Sequence, residues 1–285
     1  MTILLTGASS GIGAAAAVEL TRRGHSVLAT GRSPGKLAAV HRRMVATAPA
    51  DVSIPEPVVA DLSAMAEVRR LAKVASDGCA TLDVLINNAA VQPSRRKVSA
   101  DGFELGLAVN HLAPFLLTSL LLERLRADNG RVVTTASSTH VKGWFDPDDL
   151  QLERRWSSQL SYGRSKLANI LFTAELARRT GLPASSLHPG DVSTDINRES
   201  PFVRLVKPFE RFVLTTPEEG AETLVWLATD KEGGHPSAVY YAERRPTEPS
   251  AAAQDPALAA WLWDISAELV GRAGRVSRRD SGREP

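Results

Sequence analysis

Apolar positions along this chain fall into short continuous runs, separated by longer stretches in which they recur every three or four residues. Runs at 2–5, 26–30, 58–60, 83–86, 130–134, 184–187 and 238–241 are aliphatic or β-branched at successive positions, the pattern of strands buried on both faces. Stretches at 12–23, 36–46, 64–75, 103–126, 161–179 and 217–228 carry the helical period. Their alternation predicts an α/β fold: a single Rossmann-type, doubly wound domain with a parallel sheet of about seven strands and helices on both faces. Two segments interrupt the alternation. Residues 139–158 carry Trp144, Phe145 and Trp156, and residues 191–216 carry Phe202, Phe209 and Phe212. Each is longer than the usual connection in a compact α/β domain, which marks it as a functional loop. No linker-like stretch divides the body. One domain is expected over 1–271, followed by an Arg-rich segment, 272–285, that reads as a flexible tail.

Composition narrows the picture. With 285 residues, 43% of them hydrophobic, the chain can bury a large core without disulfide or metal staples. The formal net charge is +2, but the last fourteen residues hold five arginines against Asp280 and Glu284, and the remainder stands at −1. A near-neutral body argues against nucleic acid or an acidic membrane as partner. Cys79 is the single cysteine, which excludes an intrachain disulfide and suits a reducing compartment. The first apolar run starts one residue after Met1 and leaves no space for a leader, while apolar stretches such as 113–122 are shorter than a bilayer requires. A cytoplasmic protein without a membrane anchor is therefore expected. The six histidines lack metal-ligand spacing and one cysteine cannot build a zinc site, so no metal is expected.

Two motifs carry chemistry. Gly7, Ser9, Ser10, Gly11, Ile12 and Gly13 form a glycine-rich turn between the first strand and the first helix. Glycines there let the backbone approach a pyrophosphate, and the helix N-terminus offers free N–H groups and positive dipole. Tyr162 and Lys166 stand four apart on a helical stretch, hence on one face. A phenol is a poor acid–base group at neutral pH, and a nearby ammonium lowers its pKa by favouring the phenolate. Pro114 lacks the N–H that the carbonyl of Asn110 would accept in a helix, which frees that carbonyl for water.

Thr6-Gly7-x3-Gly11-x-Gly13 and Tyr162-x3-Lys166 together resemble the signature of the short-chain dehydrogenase/reductase superfamily. That resemblance implies nicotinamide-dependent oxidoreductase activity and assigns further positions. Members that prefer NAD carry an acid at the end of the second strand; here Thr30 is followed by Gly31 and Arg32, with Lys36 nearby. A guanidinium pairs with a 2′-phosphate that a carboxylate would repel, so the implied cofactor is NADP(H). Asp61 and Leu62 match the adenine contact. Asn88 and Ala89, within Asn87-Asn88-Ala89-Ala90, match the wall of the nicotinamide ribose. Pro189, Gly190, Val192 and Thr194 match the segment that closes over the nicotinamide. Asn110, Ser138, Tyr162 and Lys166 match the catalytic tetrad, with Ser137 the nearest competitor for the serine. The gap of 24 residues from Ser138 to Tyr162 exceeds that of classical members, which assigns the 139–158 loop to the substrate pocket.

Within the superfamily, Gly102-Phe103-Glu104-Leu105, Asn110-His111-Leu112 and Leu187-His188-Pro189-Gly190 resemble the retinol dehydrogenase and WW-domain oxidoreductase group. The expected activity is that of a carbonyl reductase or alcohol dehydrogenase; relatives that reduce a C=C bond, or bind cofactor with little turnover, are the alternatives. Aromatic residues in the two long loops, Trp144, Phe145, Phe202 and Phe209 among them, point to a bulky lipophilic substrate, with core packing or a subunit contact as the competing reading. Superfamily members commonly form homo-oligomers, and the same is open here.

Overall fold

The computed structural model describes residues 1–190, 215–231 and 238–280. The first apolar run becomes β1 (Thr2–Thr6), in which Ile3 and Leu5 enter one core layer and Leu4 the other, all fully buried. The later runs become β2 (Ser26–Gly31), β3 (Val58–Val59), β4 (Val84–Asn87), β5 (Arg131–Thr135), β6 (Ala184–His188) and β7 (Tyr240–Ala242). A short β8 (Arg245–Pro246) completes an eight-stranded sheet of order β3-β2-β1-β4-β5-β6-β7-β8.

Pairings from β3 through to β7 are parallel, in agreement with the apolar pattern. β8 instead turns back antiparallel on β7. Two causes hide it from the sequence. Both its residues are exposed, and its turn places Glu243 and Arg244 at positive φ, where hairpins ordinarily use Asn or Gly.

Helices α1 (Gly11–Arg22), α2 (Pro34–Thr47), α3 (Met65–Gly78), α4 (Leu105–Ala127), α5 (Ser158–Thr180), α6 (Pro217–Thr229) and α7 (Pro256–Asp280) flank the sheet. α1, α2 and α6 share a core layer with Ile3 and Leu5; α3, α4 and α5 share the opposite layer with Leu4. α4 is long and apolar enough to cross a membrane by length and composition, yet it is mostly buried in this layer. α7 lies outside the predicted helical stretches. It packs on α3, α4 and α5 through Leu262 and Val270, and Trp263 stacks 6.0 Å from Phe172. Its backbone is helical to Asp280, so most of the segment read as a tail from Arg272 continues this helix.

β1 lies between β2 and β4, where the chain reverses its direction of winding. In open α/β sheets that switch point opens a crevice beyond the carboxyl ends of the strands. Here those ends deliver Gly7, Gly31, Asn88, Ser137 and Pro189 to one rim.

Candidate active site

A cleft of about 780 Å³ occupies that rim, lined along its length by Gly7 to Arg32 at one end and by Tyr162, Lys166 and Gly190 at the other. The glycine turn is shaped first by its own packing. Gly7 has φ +72°, and a Cβ there would lie 2.7 Å from the Cα of Ala89. A Cβ at Gly13 would lie 2.2 Å from the carbonyl oxygen of Gly7, and one at Gly31 would lie 2.9 Å from the Cβ of Ser9. These contacts hold the turn flat against β4 and β2. Thr6 completes the join: its hydroxyl accepts from the N–H groups of Asn88 (2.9 Å) and Ala89 (3.1 Å), while Asn88 Nδ2 donates to Thr6 O (3.1 Å).

The start of α1 faces the cleft. Its N-cap, Ser10, makes no side-chain cap bond and its first turn holds no acid, so the helix dipole there is left for an external anion. Ser9, Ser10, Gly11, Ile12 and Gly13 line this end. Arg32, Ser33 and Lys36 line it beside the end of β2, and Asp61 and Leu62 line it after β3. This donor set suits an elongated phosphorylated dinucleotide, with a further anionic group welcome at Arg32 and Lys36.

At the other end α5 presents Tyr162 and Lys166. Lys166 is 1% exposed, and its ammonium donates to the carbonyl of Thr135 (2.8 Å) while lying 5.4 Å from the centre of the Tyr162 ring. Asn169, a turn further along, donates to the same carbonyl (3.1 Å). Burial pulls Lys166 down to about 7. Burial likewise pushes the Tyr162 phenol up to about 12, against a hydrogen bond from Ser137 that favours the phenolate.

The serine beside Tyr162 is Ser137, which corrects the assignment of Ser138. Ser137 is extended, with φ −168° and ψ 156°, so the two-residue period of β5 carries from Thr135 to Ser137 and aims both at the cleft. Ser138 falls on the opposite side. It is exposed, absent from the cleft wall, and its N–H reaches His188 Nδ1 at 3.3 Å. Ser137 Oγ accepts from the N–H (3.2 Å) and hydroxyl (3.0 Å) of Thr139, which leaves its own proton to point at Tyr162.

Asn110 sits within a π-helical turn of α4, Ala108–Leu112, where Ala113 N–H reaches back to the carbonyl of Ala108. The extra residue in this turn makes room for the ring of Pro114. The Asn110 side chain is fully engaged. Its Oδ1 accepts from Val91 N–H (2.8 Å), and Nδ2 donates to Val91 O (2.9 Å) and Ser165 Oγ (2.9 Å). Ser165 then donates to Tyr162 O (2.8 Å), so Asn110 ties the cleft wall after β4 to the helix of Tyr162.

The aromatic loop reading needs a second correction. Trp144 and Phe145 are not on the cleft wall. Both rings lie within 6 Å of the Arg164 guanidinium, and Phe145 also meets Trp261 edge-on at 5.7 Å. Trp156 donates from Nε1 to the buried carboxylate of Glu104 (3.1 Å). Arg164 and Glu104 therefore fix the 139–158 loop to the body. Val192, Thr194, Phe202, Phe209 and Phe212 lie outside the described residues. The cleft wall also includes Val91, Gln92, Pro93, Lys97, Leu105, Val109 and Thr139, which sequence reasoning missed.

A profile of the short chain dehydrogenase family matches residues 1–201. A Streptomyces sp. (strain C5) protein assigned by name as a daunorubicin C-13 ketoreductase is 41% identical over 279 residues, covering 96% of this chain and 94% of its own length. Human retinol dehydrogenase 14 is 38% identical over 290 residues, covering 95% and 86%. Among solved structures, an uncharacterized protein from Mycobacterium paratuberculosis superposes with a TM-score of 0.75 at 35% identity, over 95% of this chain and 93% of that one. A 3-oxoacyl (acyl-carrier-protein) reductase from Agrobacterium tumefaciens C58 with NADP bound gives 0.64 at 26% identity, over 80% and 86%.

The buried lysine makes stability depend on pH. Between about 7 and the ordinary lysine value near 10.4, the unfolded chain holds a proton that folded Lys166 has lost. Stability of the ligand-free protein should therefore rise through that window, by up to about 1.4 kcal/mol per pH unit. It should fall again above about pH 10, where unfolded Tyr162 ionises first. Urea unfolding at pH 7.5, 8.5 and 9.5 reads the slope, and Lys166→Met should flatten it.

Proposed function

The chain belongs to the short-chain dehydrogenase family, and on that premise we propose an NADP(H)-dependent oxidoreductase that interconverts a carbonyl and an alcohol on a bulky lipophilic substrate. The observation that carries this reading is the meeting of Ser137, Tyr162 and Lys166 at one end of a cleft whose other end is an uncapped helix N-terminus. When bound, the nicotinamide supplies or accepts the hydride. Ser137, with its hydroxyl set by Thr139, donates to the substrate oxygen and holds the reacting carbon in place. Tyr162 gives or takes the proton at that oxygen. Lys166, when charged, favours the phenolate from 5.4 Å away, and the hydrogen bond from Ser137 opposes the upward push of burial on Tyr162.

Support for NADP(H) comes from Arg32 and Lys36 on the wall and from the lack of an acid at the end of β2. The NADP-bound reductase among the structural neighbours agrees with it. For a lipophilic substrate, the support is the apolar residues on the cleft wall (Val91, Pro93, Leu105, Val109) and the retinol and daunorubicin named in the relatives.

NADPH oxidation with retinal and daunorubicin, against acetone and pyruvate, tests the reading. Lipophilic carbonyls should show the higher kcat/KM, with the corresponding alcohol as product; a small polar ketone that matches them, or a product reduced at C=C, overturns it. Tyr162→Phe should lower kcat at least a hundredfold, and Ser137→Ala at least tenfold, with NADPH affinity nearly unchanged. Ser138→Ala should stay within about twofold of native, since Ser138 is off the cleft wall.

Cofactor choice is read separately by fluorescence titration. Native protein should bind NADPH at least tenfold tighter than NADH, a phosphate–guanidinium contact being worth about 1–3 kcal/mol. Arg32→Asp should reverse that order.

A further inference from the structure

His140 stands outside the cleft and outside every role described so far, yet both of its ring nitrogens are committed. It is 4% exposed in the 3-10 turn that follows Ser137, with its ring edge-on to Tyr240 at 5.3 Å. Nε2 faces the backbone N–H of Ser250 at 3.0 Å. A backbone N–H can only donate, so Nε2 is the bare acceptor nitrogen and the ring proton resides on Nδ1. Nδ1 lies 2.8 Å from the carbonyl of Ser137, to which it must then donate. That carbonyl also accepts from the backbone N–H of His140 at 3.1 Å. One residue thus supplies both donors to the carbonyl of the serine that faces Tyr162. Its ring also braces that serine against Ser250, which leads into the turn before α7.

We propose that His140 is a positioning residue: its Nδ1–H, held in that tautomer by Ser250, fixes the backbone of Ser137 and so aims the serine hydroxyl at the substrate oxygen. Ser137 lies two residues past the end of β5, beyond the last sheet bond, which Ala136 N–H gives to the carbonyl of Leu187. Its hydroxyl direction depends on the peptide plane that the imidazole holds. The opposite side of the turn is held more weakly, by His188 on Ser138 N–H at 3.3 Å. His140 is not among the described residues that line the cleft, so its loss should act on substrate alignment and spare NADPH binding. This inference rests on the proposed role of Ser137 in carbonyl reduction.

Two amide side chains separate positioning from bulk stability. An Asn amide nitrogen can occupy the place of Nδ1, whereas a Gln amide reaches only the place of Nε2. His140→Asn therefore keeps the bond to Ser137 O and loses the one to Ser250; His140→Gln does the reverse. With retinal and NADPH, His140→Gln should lose at least tenfold in kcat/KM, with NADPH Kd within threefold of native. His140→Asn should remain within threefold of native in both. Native kcat/KM in His140→Gln, or equal losses in the two variants, would overturn the proposal. An arm independent of turnover uses native protein labelled with ¹⁵N-histidine. At pH 7.5 the His140 ring should show a protonated Nδ1 and a bare Nε2; the opposite tautomer would sink the inference even if no substrate were turned over.

Discussion

One buried ammonium organises the catalytic end of this molecule. Lys166 has left water, and the partner the fold supplies is the carbonyl of Thr135 at the last residue of β5. Burying a charge is costly unless it is paired or hydrogen-bonded, so the end of β5 and the middle of α5 must stay in register. Asn169 shares the same carbonyl from the next turn and stiffens the join. With β5 held there, the strand period delivers Ser137 to Tyr162. The same burial pulls the lysine toward neutrality. A bound anionic cofactor, or a phenolate at Tyr162, would restore its charge, which couples ligand binding to the protonation of the site.

The walls around this anchor are tied to one another by buried side chains, with no metal or disulfide involved among the described residues. Asn110 fastens the loop after β4 to Ser165 on α5. Glu104, 2% exposed, accepts from Leu107 N–H, Trp156 Nε1 and Ser161 Oγ, and so links the start of α4, the 139–158 loop and the turn of α5 that carries Tyr162. Arg164 donates to the carbonyls of Trp144, Asp149 and Leu150 from the far side of the same helix. The long loop is therefore a brace for α5. Its aromatic rings sit where they cover the aliphatic and guanidinium parts of Arg164 and the core beside α7.

At the opposite end of the cleft the logic is steric. Gly7, Gly13 and Gly31 are held to glycine by backbone and side chains 2.2 to 2.9 Å from any added Cβ. That close packing brings β1, β2 and β4 together under the turn and leaves the amino end of α1 facing outward without a cap. The proposed phosphate binding there would follow from how tightly the strands are joined, since the N–H groups that the helix cannot satisfy itself face the crevice.

The strand–helix alternation, the parallel sheet, the glycine turn, Arg32 after β2 and the Tyr162–Lys166 pair were all determined by local pattern, because each depends on period or spacing within a few residues. β8 was not, because a two-residue exposed strand has no burial signature; α7 was missed although Asp255, which caps the N–H groups of Ala257 and Leu258, and Pro256 after it are a local start signal. Between Ser137 and Ser138 the deciding fact was that the backbone is still extended at Ser137, two residues beyond the end of the β5 ladder, which sets parity and hence which hydroxyl faces Tyr162. The sequence offered a cue in the period of two counted from Thr135, but whether the chain stayed extended was decided only when Lys166, Asn169 and His140 gripped the carbonyls on either side of it. For Trp144, Phe145 and Trp156 composition could show only that rings lie in a loop. Their partners, Arg164, Trp261 and Glu104, come from distant parts of the chain or from opposite faces of a helix, and contacts of that kind exist only once the tertiary structure has formed.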